Sequence, residues 1–211
     1  MTRIGIVGAG HIGGTLTQLF AQAGHEVAVA NSRAAQTLAD LVAAAGPNAR
    51  AVTPAEAVQW GEVLVVSVPL KNYRQVPAEG SDGKVVIDTN NYYPQRDGQI
   101  PELDDDSTTS SELLAAHLPG ARVVKAFNQI QWEHLRDDGV PAGTVGRAAL
   151  PIAGADKAAK EAVHALIDDI GFDAVDVGGL ADSRLFQPGA ELYRPATVDS
   201  INAVKAQRGL S

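Results

Sequence analysis

The residues Gly8-Ala9-Gly10-His11-Ile12-Gly13 combine types and spacing that could do chemistry with the backbone rather than with side chains. Gly8 permits a tight turn, Gly10 lets the main chain approach a pyrophosphate, and Gly13 lets a helix pack closely on a strand. That reading requires a strand before the glycines and a helix after them. Arg3-Ile4-Gly5-Ile6-Val7 provides the strand, and Thr15-Leu16-Thr17-Gln18-Leu19-Phe20-Ala21 has a helical pattern. The free N–H groups and positive dipole end of the new helix then face the anion. A tight turn without a ligand is the plainer alternative, and the following strand decides against it.

That strand, His25–Ala30, ends in Asn31-Ser32-Arg33. A site for NAD commonly places Asp or Glu here, where it binds the ribose 2′-hydroxyl and repels a 2′-phosphate. This chain offers an amide, a hydroxyl and a guanidinium, with Arg33 able to give charge-assisted hydrogen bonds. The tip therefore predicts NADP(H). In the plainer reading Ser32 caps the next helix and Arg33 is solvated.

More polar groups gather at the ends of later strands. Glu62–Val68 is a nearly continuous apolar run, as expected of a strand buried on both faces of a parallel sheet, and it ends in Pro69-Leu70. Ligands of open α/β sheets bind outside the carboxyl ends of strands, so Val68 and Pro69 are expected to line the groove. Lys71 and Tyr73 follow within reach or are loop residues. Lys84–Asp88 runs into Thr89-Asn90-Asn91-Tyr92-Tyr93-Pro94, where the asparagines either bind an amide or ribose or simply form the turn. Arg122–Asn128 brings Ala126 and Asn128 to the same edge.

The elements that must position these groups alternate between strand and helix. Thr53-Pro54-Ala55-Glu56 and Thr109 with Glu112 are capping boxes that begin helices. Residues 34–45 are helical in composition, 95–107 read as a solvated loop, and 131–137 as a short helix whose Trp132 is core packing or, secondarily, a flavin-stacking ring. Ala148–Ala153 is strand-like with an internal Pro151, which favours an edge. Asp156–Ile170 has an amphipathic helical period, Phe172–Val177 is a last strand, and the tail from Pro188 is irregular before a helix over 196–206. The expected class is α/β: a Rossmann-type, doubly wound, mostly parallel sheet with a small C-terminal extension. Residues 1–142 form the NADP-binding core, and 143–211 complete the fold and contribute to a second-substrate or dimer region.

Composition narrows the functions. The chain has 211 residues, 45% of them hydrophobic, and no cysteine, which excludes disulfides, thiolate nucleophiles and thiolate-bound metals. The five histidines are scattered without a ligand pair, and Asp104-Asp105-Asp106 lacks the alternating ligands of a calcium loop, so no metal site is expected. A net charge of −8 speaks against nucleic acid. No run is long enough for a membrane span, and strand formers from Arg3 leave no room for a signal peptide, which fits a cytoplasmic protein.

With these motifs in order, the chain resembles the NADP-dependent oxidoreductases of the coenzyme F-420 (8-hydroxy-5-deazaflavin) reductase family, and is similar to the cytosolic NADPH domain of six-transmembrane ferric reductases. The residues that carry the resemblance are Gly8–Gly13, Asn31–Arg33, Val66-Ser67-Val68-Pro69, Asp88-Thr89-Asn90-Asn91, Ser111–Ala115, Val124–Asn128, Pro151–Gly154 and Gly171–Gly178. The resemblance implies a homodimer and an NADP(H) site built from Gly8, Ala9, Gly10, His11, Ile12, Gly13, Asn31, Ser32, Arg33, Val68, Pro69, Asn90, Ala126 and Asn128. From Gln187 onward the residues do not match the family one by one.

No acid–base dyad or nucleophile pair is evident. Hydride transfer between a nicotinamide and a deazaflavin or flavin needs none, because both rings bring their own reactive atoms and the protein has only to orient them. No catalytic side chain is therefore expected beyond Asn128 as an orienting group, with coenzyme F-420, FMN or FAD as second substrate. Two other readings remain: an NADP(H)-sensing module without turnover, and a dehydrogenase of a small carbonyl or imine with Lys125 as acid, although Lys125 reads more simply as a strand residue reaching a phosphate or carboxylate. The second is hampered by the about seventy residues after Gly143, too few for a large helical substrate domain.

Overall fold

The structure, a computed structural model, describes residues 1–210. Eight strands form a sheet in the order β3-β2-β1-β4-β5-β6-β7-β8: β1 Arg3–Val7, β2 Glu26–Ala30, β3 Ala49–Ala51, β4 Val63–Val66, β5 Val85–Asp88, β6 Arg122–Lys125, β7 Ala149–Gly154 and β8 Asp173–Asp176. The first six are parallel, and the order reverses between β1 and β4, the place where such sheets open a crevice.

Alternation along each strand builds two cores. Ile4, Ile6, Val63, Val65, Val85 and Ile87 face one side, against helices α1 (His11–Gln22), α2 (Ala39–Ala45) and α8 (Lys157–Asp169). Val7, Leu64, Val66 and Val86 face the other, with Ala57, Val58 and Leu114 from α3 (Pro54–Trp60) and α6 (Ser110–His117). Both faces are covered, which is why β4 reads as an unbroken apolar run. Both expected capping boxes form, at Thr53 with Glu56 and at Thr109 with Glu112.

β7 runs antiparallel to β6, through Val124 with Gly154 and Lys125 with Ala153, and parallel to β8. It is not the edge strand that Pro151 suggested. The ladder to β8 is carried by the even-numbered residues, Ala148 and Ile152 accepting from Asp173 and Val177. The Pro151 nitrogen faces the other way, where β6 joins only from Ala153 onward. The missing N–H is thus never required. Reversal also brings the start of β7 to the edge where β1, β4, β5 and β6 end.

Other departures are local. Residues 34–45 divide into a 3₁₀ turn, Ala35–Leu38, and α2. The 95–107 stretch contains single turns α4 (Pro94–Asp97) and α5 (Pro101–Asp104). After α7 (Trp132–Asp137) and the sheet's last strand, a 3₁₀ segment Leu180–Phe186 precedes α9 (Val198–Gln207). A third apolar cluster, with Phe186, Leu192, Ile201 and Val204, holds the C-terminal region on β7 and β8. No helix of the described residues is long and apolar enough to cross a membrane.

Candidate active site

A groove crosses the carboxyl edge of the sheet in two connected parts that share Gly10, Ser67, Val68 and Pro69. The smaller, of about 310 Å³, runs from Gly8–Gly10 to Asn31, Ser32 and Arg33. The larger, of about 610 Å³, lies over the tips of β5 and β6 and the start of β7.

The glycines divide their work as their spacing requires. Gly8 has φ +111°, and a Cβ there would meet the Ser67 carbonyl oxygen at 2.0 Å. A Cβ on Gly13 would meet the Gly8 carbonyl oxygen at 1.9 Å, so α1 packs as closely on the turn as the motif demands. Gly10 differs. It takes ordinary extended backbone, and a Cβ on it would point into open space in the groove. It is also the N-cap of α1, with no side-chain cap, and the first turn carries no acid. The helix therefore presents its leading N–H groups and dipole to whatever fills the groove.

At the far end of the smaller part, Asn31 shapes its own loop. Its Oδ1 accepts from the Arg33 amide at 2.8 Å and its Nδ2 donates to Thr37 at 3.0 Å. Ser32 does not cap the next turn, whose N-cap is Ala34. Ser32 and Arg33 are exposed on the groove rim, and among the described residues no carboxylate pairs with Arg33.

Where the two parts meet, Asn90 fixes the wall. Its Oδ1 accepts from the Val68 amide at 3.0 Å, while its buried Nδ2 has no protein acceptor. Asp88 and Lys125 set its backbone: Asp88 Oδ1 accepts from the Asn90 amide at 2.9 Å, and Lys125 Nζ donates to the Asn90 carbonyl. Lys125 also donates to Asp88 Oδ2 and Ser110 Oγ, both at 3.1 Å, and Ser111 donates to Asp88 at 2.7 Å. All three ammonium protons are thus used. Burial pushes the Lys125 pKa down against the opposing pull of Asp88. Both side chains are sealed from solvent and neither lines the groove, so Lys125 reaches a carboxylate and is not a substrate acid.

The larger part collects side chains from distant segments. Asn128 lines it but is heavily engaged, donating to Asn91 at 3.1 Å and to the Phe186 carbonyl at 2.7 Å, with Oδ1 left buried and unpartnered. The turn that aims it is Phe127, a non-glycine residue at φ +62°. Ala126 is fully buried in the core and reaches neither part of the groove, because it lies one residue beyond β6 with its amide still bonded to Asp88. His11 and Ile12 line the cavity, and the His11 ring stacks on Trp132 with centroids 5.1 Å apart. Trp132 is half-buried and lies outside the core clusters, contrary to the core-packing expectation: a one-and-a-half-turn helix at the sheet edge leaves its first side chain over the groove.

Residues the sequence did not single out also stand here, among them Ser67, Thr89, Tyr93, Arg96, Tyr193 and Arg194. Tyr193 and its neighbours arrive because Ala196 accepts from the Ala149 amide at 2.8 Å, tying the tail to the start of β7. Ser67, Thr89 and Tyr93 stand beside the strand-tip motifs, whereas Arg96, Tyr193 and Arg194 have no local sequence signal. Among the described residues no group of His, Asp and Glu is arranged to hold a metal ion.

A profile of the family described as NADP oxidoreductase, coenzyme F420-dependent, matches residues 3–92. No curated protein matches the chain. Among solved structures, hypothetical protein SMa0349 from Sinorhizobium meliloti is 32% identical, with 93% of this chain and 95% of that chain covered and a TM-score of 0.80. A candidate F420-dependent NADP reductase from Arthrobacter sp. FB24 is 24% identical over 99% of this chain and 96% of its own, with a TM-score of 0.76. Mycobacterium tuberculosis 3-hydroxyisobutyrate dehydrogenase shares the fold at 18% identity and a TM-score of 0.61, with 86% of this chain and 56% of that chain covered. The matched profile spans β1 through the β5 tip, and the 32% identity extends over nearly the whole chain: the chain belongs to the family of coenzyme F420-dependent NADP oxidoreductases and is an NADP-dependent oxidoreductase.

Proposed function

We propose that the chain transfers a hydride between NADP(H) in the groove and a deazaflavin such as coenzyme F-420, or a flavin, in the larger cavity. The observation that carries this reading is the uncapped, acid-free start of α1 at Gly10, where a Cβ would enter open groove space. Backbone N–H groups and helix dipole at that point suit a pyrophosphate. Ser32 and Arg33 then hold the 2′-phosphate, and the unpartnered Asn90 Nδ2 donates to the ribose or carboxamide. Val68 and Pro69 form the wall between the two parts, and Asn128 holds the far side. NADPH supplies the hydride when bound. The chain's task is orientation and water exclusion, and hydride transfer between two rings needs no acid–base chemistry from the His134–Asp138 pair that also lines the larger part.

The same reading takes the region after residue 142 as the contributor of the second-substrate wall, the assembly as a homodimer, and the cytoplasm as the compartment. Sedimentation of the purified protein checks the dimer. Acceptor identity is tested by mixing the protein with NADPH and, separately, coenzyme F-420, FMN or FAD, and following the nicotinamide absorbance. The expected result is enzyme-dependent NADPH oxidation with at least one of them. Oxidation with cyclohexanone or an imine alone would move the assignment to the dehydrogenases.

A further inference from the structure

Segments a hundred residues apart meet in the larger cavity. The hydroxyl oxygens of Tyr93 and Tyr193 lie 2.6 Å apart. Asn91 Nδ2 donates to the Tyr193 oxygen at 3.2 Å and to the Asn128 carbonyl at 2.7 Å, with Asn91 Oδ1 accepting from Asn128. Arg96 lies over the Tyr93 ring, 4.9 Å from its centroid, and donates to the Asn91 carbonyl at 2.6 Å. Asp97, whose side chain is fully covered, holds Arg96 in turn at 2.9 Å. The two phenols are therefore fixed in position and bordered by donors.

Two phenols carry two O–H groups. One spans the pair, and among the described residues no carbonyl or carboxylate accepts the other. Burial, reinforced by the Tyr93 hydroxyl, raises the Tyr193 pKa above that of an ordinary phenol, so Tyr193 keeps its proton at neutral pH. A free O–H stands in the cavity beside the proposed nicotinamide wall, on side chains that the NADP(H) reading leaves unused.

We infer that Tyr93 and Tyr193 act as a paired-phenol donor that binds the hydride acceptor by a carbonyl or ring-nitrogen edge and stabilises the negative charge that arrives there with the hydride. The inference rests on the acceptor reading above and narrows it to a planar heterocycle whose reduced form carries that charge on an oxygen or nitrogen. Hydrogen moves with its electron pair from nicotinamide C4 to the acceptor ring, NADPH becoming NADP⁺ and the acceptor an anion. Water later provides the neutralising proton, and the phenol gives only a hydrogen bond, placed before the charge develops.

The test uses wild type, Tyr193→Phe and Tyr93→Phe, each loaded with NADP⁺ and titrated with oxidised FMN and oxidised coenzyme F-420, followed by single-turnover hydride transfer from NADPH. Each variant is expected to weaken acceptor binding and slow transfer by about tenfold or more, the scale of a lost hydrogen bond to developing charge, with NADP⁺ affinity within about twofold of wild type. Equal acceptor affinity and rate in all three proteins overturns the inference and leaves the acceptor reading intact. A lowered melting temperature with unchanged acceptor binding makes the pair a latch on the tail and overturns it as well. Failure of wild type to bind either acceptor overturns both.

Discussion

Gly8 and Gly10 stand two residues apart and answer substitution in opposite ways. At Gly8 the φ of +111° and the Ser67 carbonyl oxygen, 2.0 Å from any Cβ, make a side chain intolerable, so Gly8→Ala is expected to destabilise the fold by about 2 kcal/mol or more, seen as a lowered unfolding midpoint. At Gly10 the backbone suits any residue and the space is open. Gly10→Val is therefore expected to melt like wild type and to lose measurable NADPH binding. Arg33 is expected to separate the two nicotinamide cofactors in the same manner. Because it is exposed, Arg33→Ala is expected to weaken NADPH by only about 1.5 kcal/mol, roughly tenfold, at the low end for a charge-assisted bond, and to leave NADH unchanged. Equal losses for both cofactors in a binding titration would remove Arg33 from the 2′-phosphate. The geometry of the turn is legible in the sequence because a strand–turn–helix of this kind leaves a fixed glycine spacing, and the strand tip has a fixed place after it. That Ala126 turns inward is not legible there, because a strand end does not reveal which of its last residues face the core.

At the scale of elements, the tips of β5 and β6 and the start of α6 are held together by one buried cluster. Lys125, Asp88, Ser110 and Ser111 bond to one another, and two of them fix the backbone of Asn90. Removing one charge leaves the other buried and unpaired, so Lys125→Ala is expected to cost about 3–5 kcal/mol in denaturant unfolding. Lys125→Met combined with Asp88→Asn is expected to cost less than the single change, since no uncompensated charge remains. A double variant that is as unstable as the sum of the singles would show that the two residues act separately. Sequence periodicity found the strands and capped helices readily, since covered sheets and capping boxes follow local rules. It could not find the pairing of Lys125 with Asp88, which depends on neighbouring strands joining in register. Nor could it place β7 inside the sheet, because Pro151 is tolerated through the direction its nitrogen faces.

For the whole molecule, the parallel half of the sheet supplies one continuous edge, and reversal at β7 brings the C-terminal segment back to that edge. The glycine turn and the C-terminal tail thus meet in one groove, the first at the smaller part and Tyr193–Ala196 at the larger. The first part was readable as a motif. The second was assembled by the tail's bond to Ala149 and by clusters of Phe186, Leu192, Ile201 and Val204, long-range packing with no short signature. Their meeting is the core of the functional account, since a hydride donor and acceptor must share a wall at Val68 and Pro69. The most direct measurement is a crystal structure of the protein grown with NADP⁺. The account predicts the pyrophosphate on the amides that begin α1, the 2′-phosphate within hydrogen-bonding distance of Ser32 and Arg33, and the nicotinamide at Val68, Pro69 and Asn90 with one face open to the larger cavity. A nicotinamide turned away from that cavity, or a cofactor bound off the Gly10 turn, would contradict it.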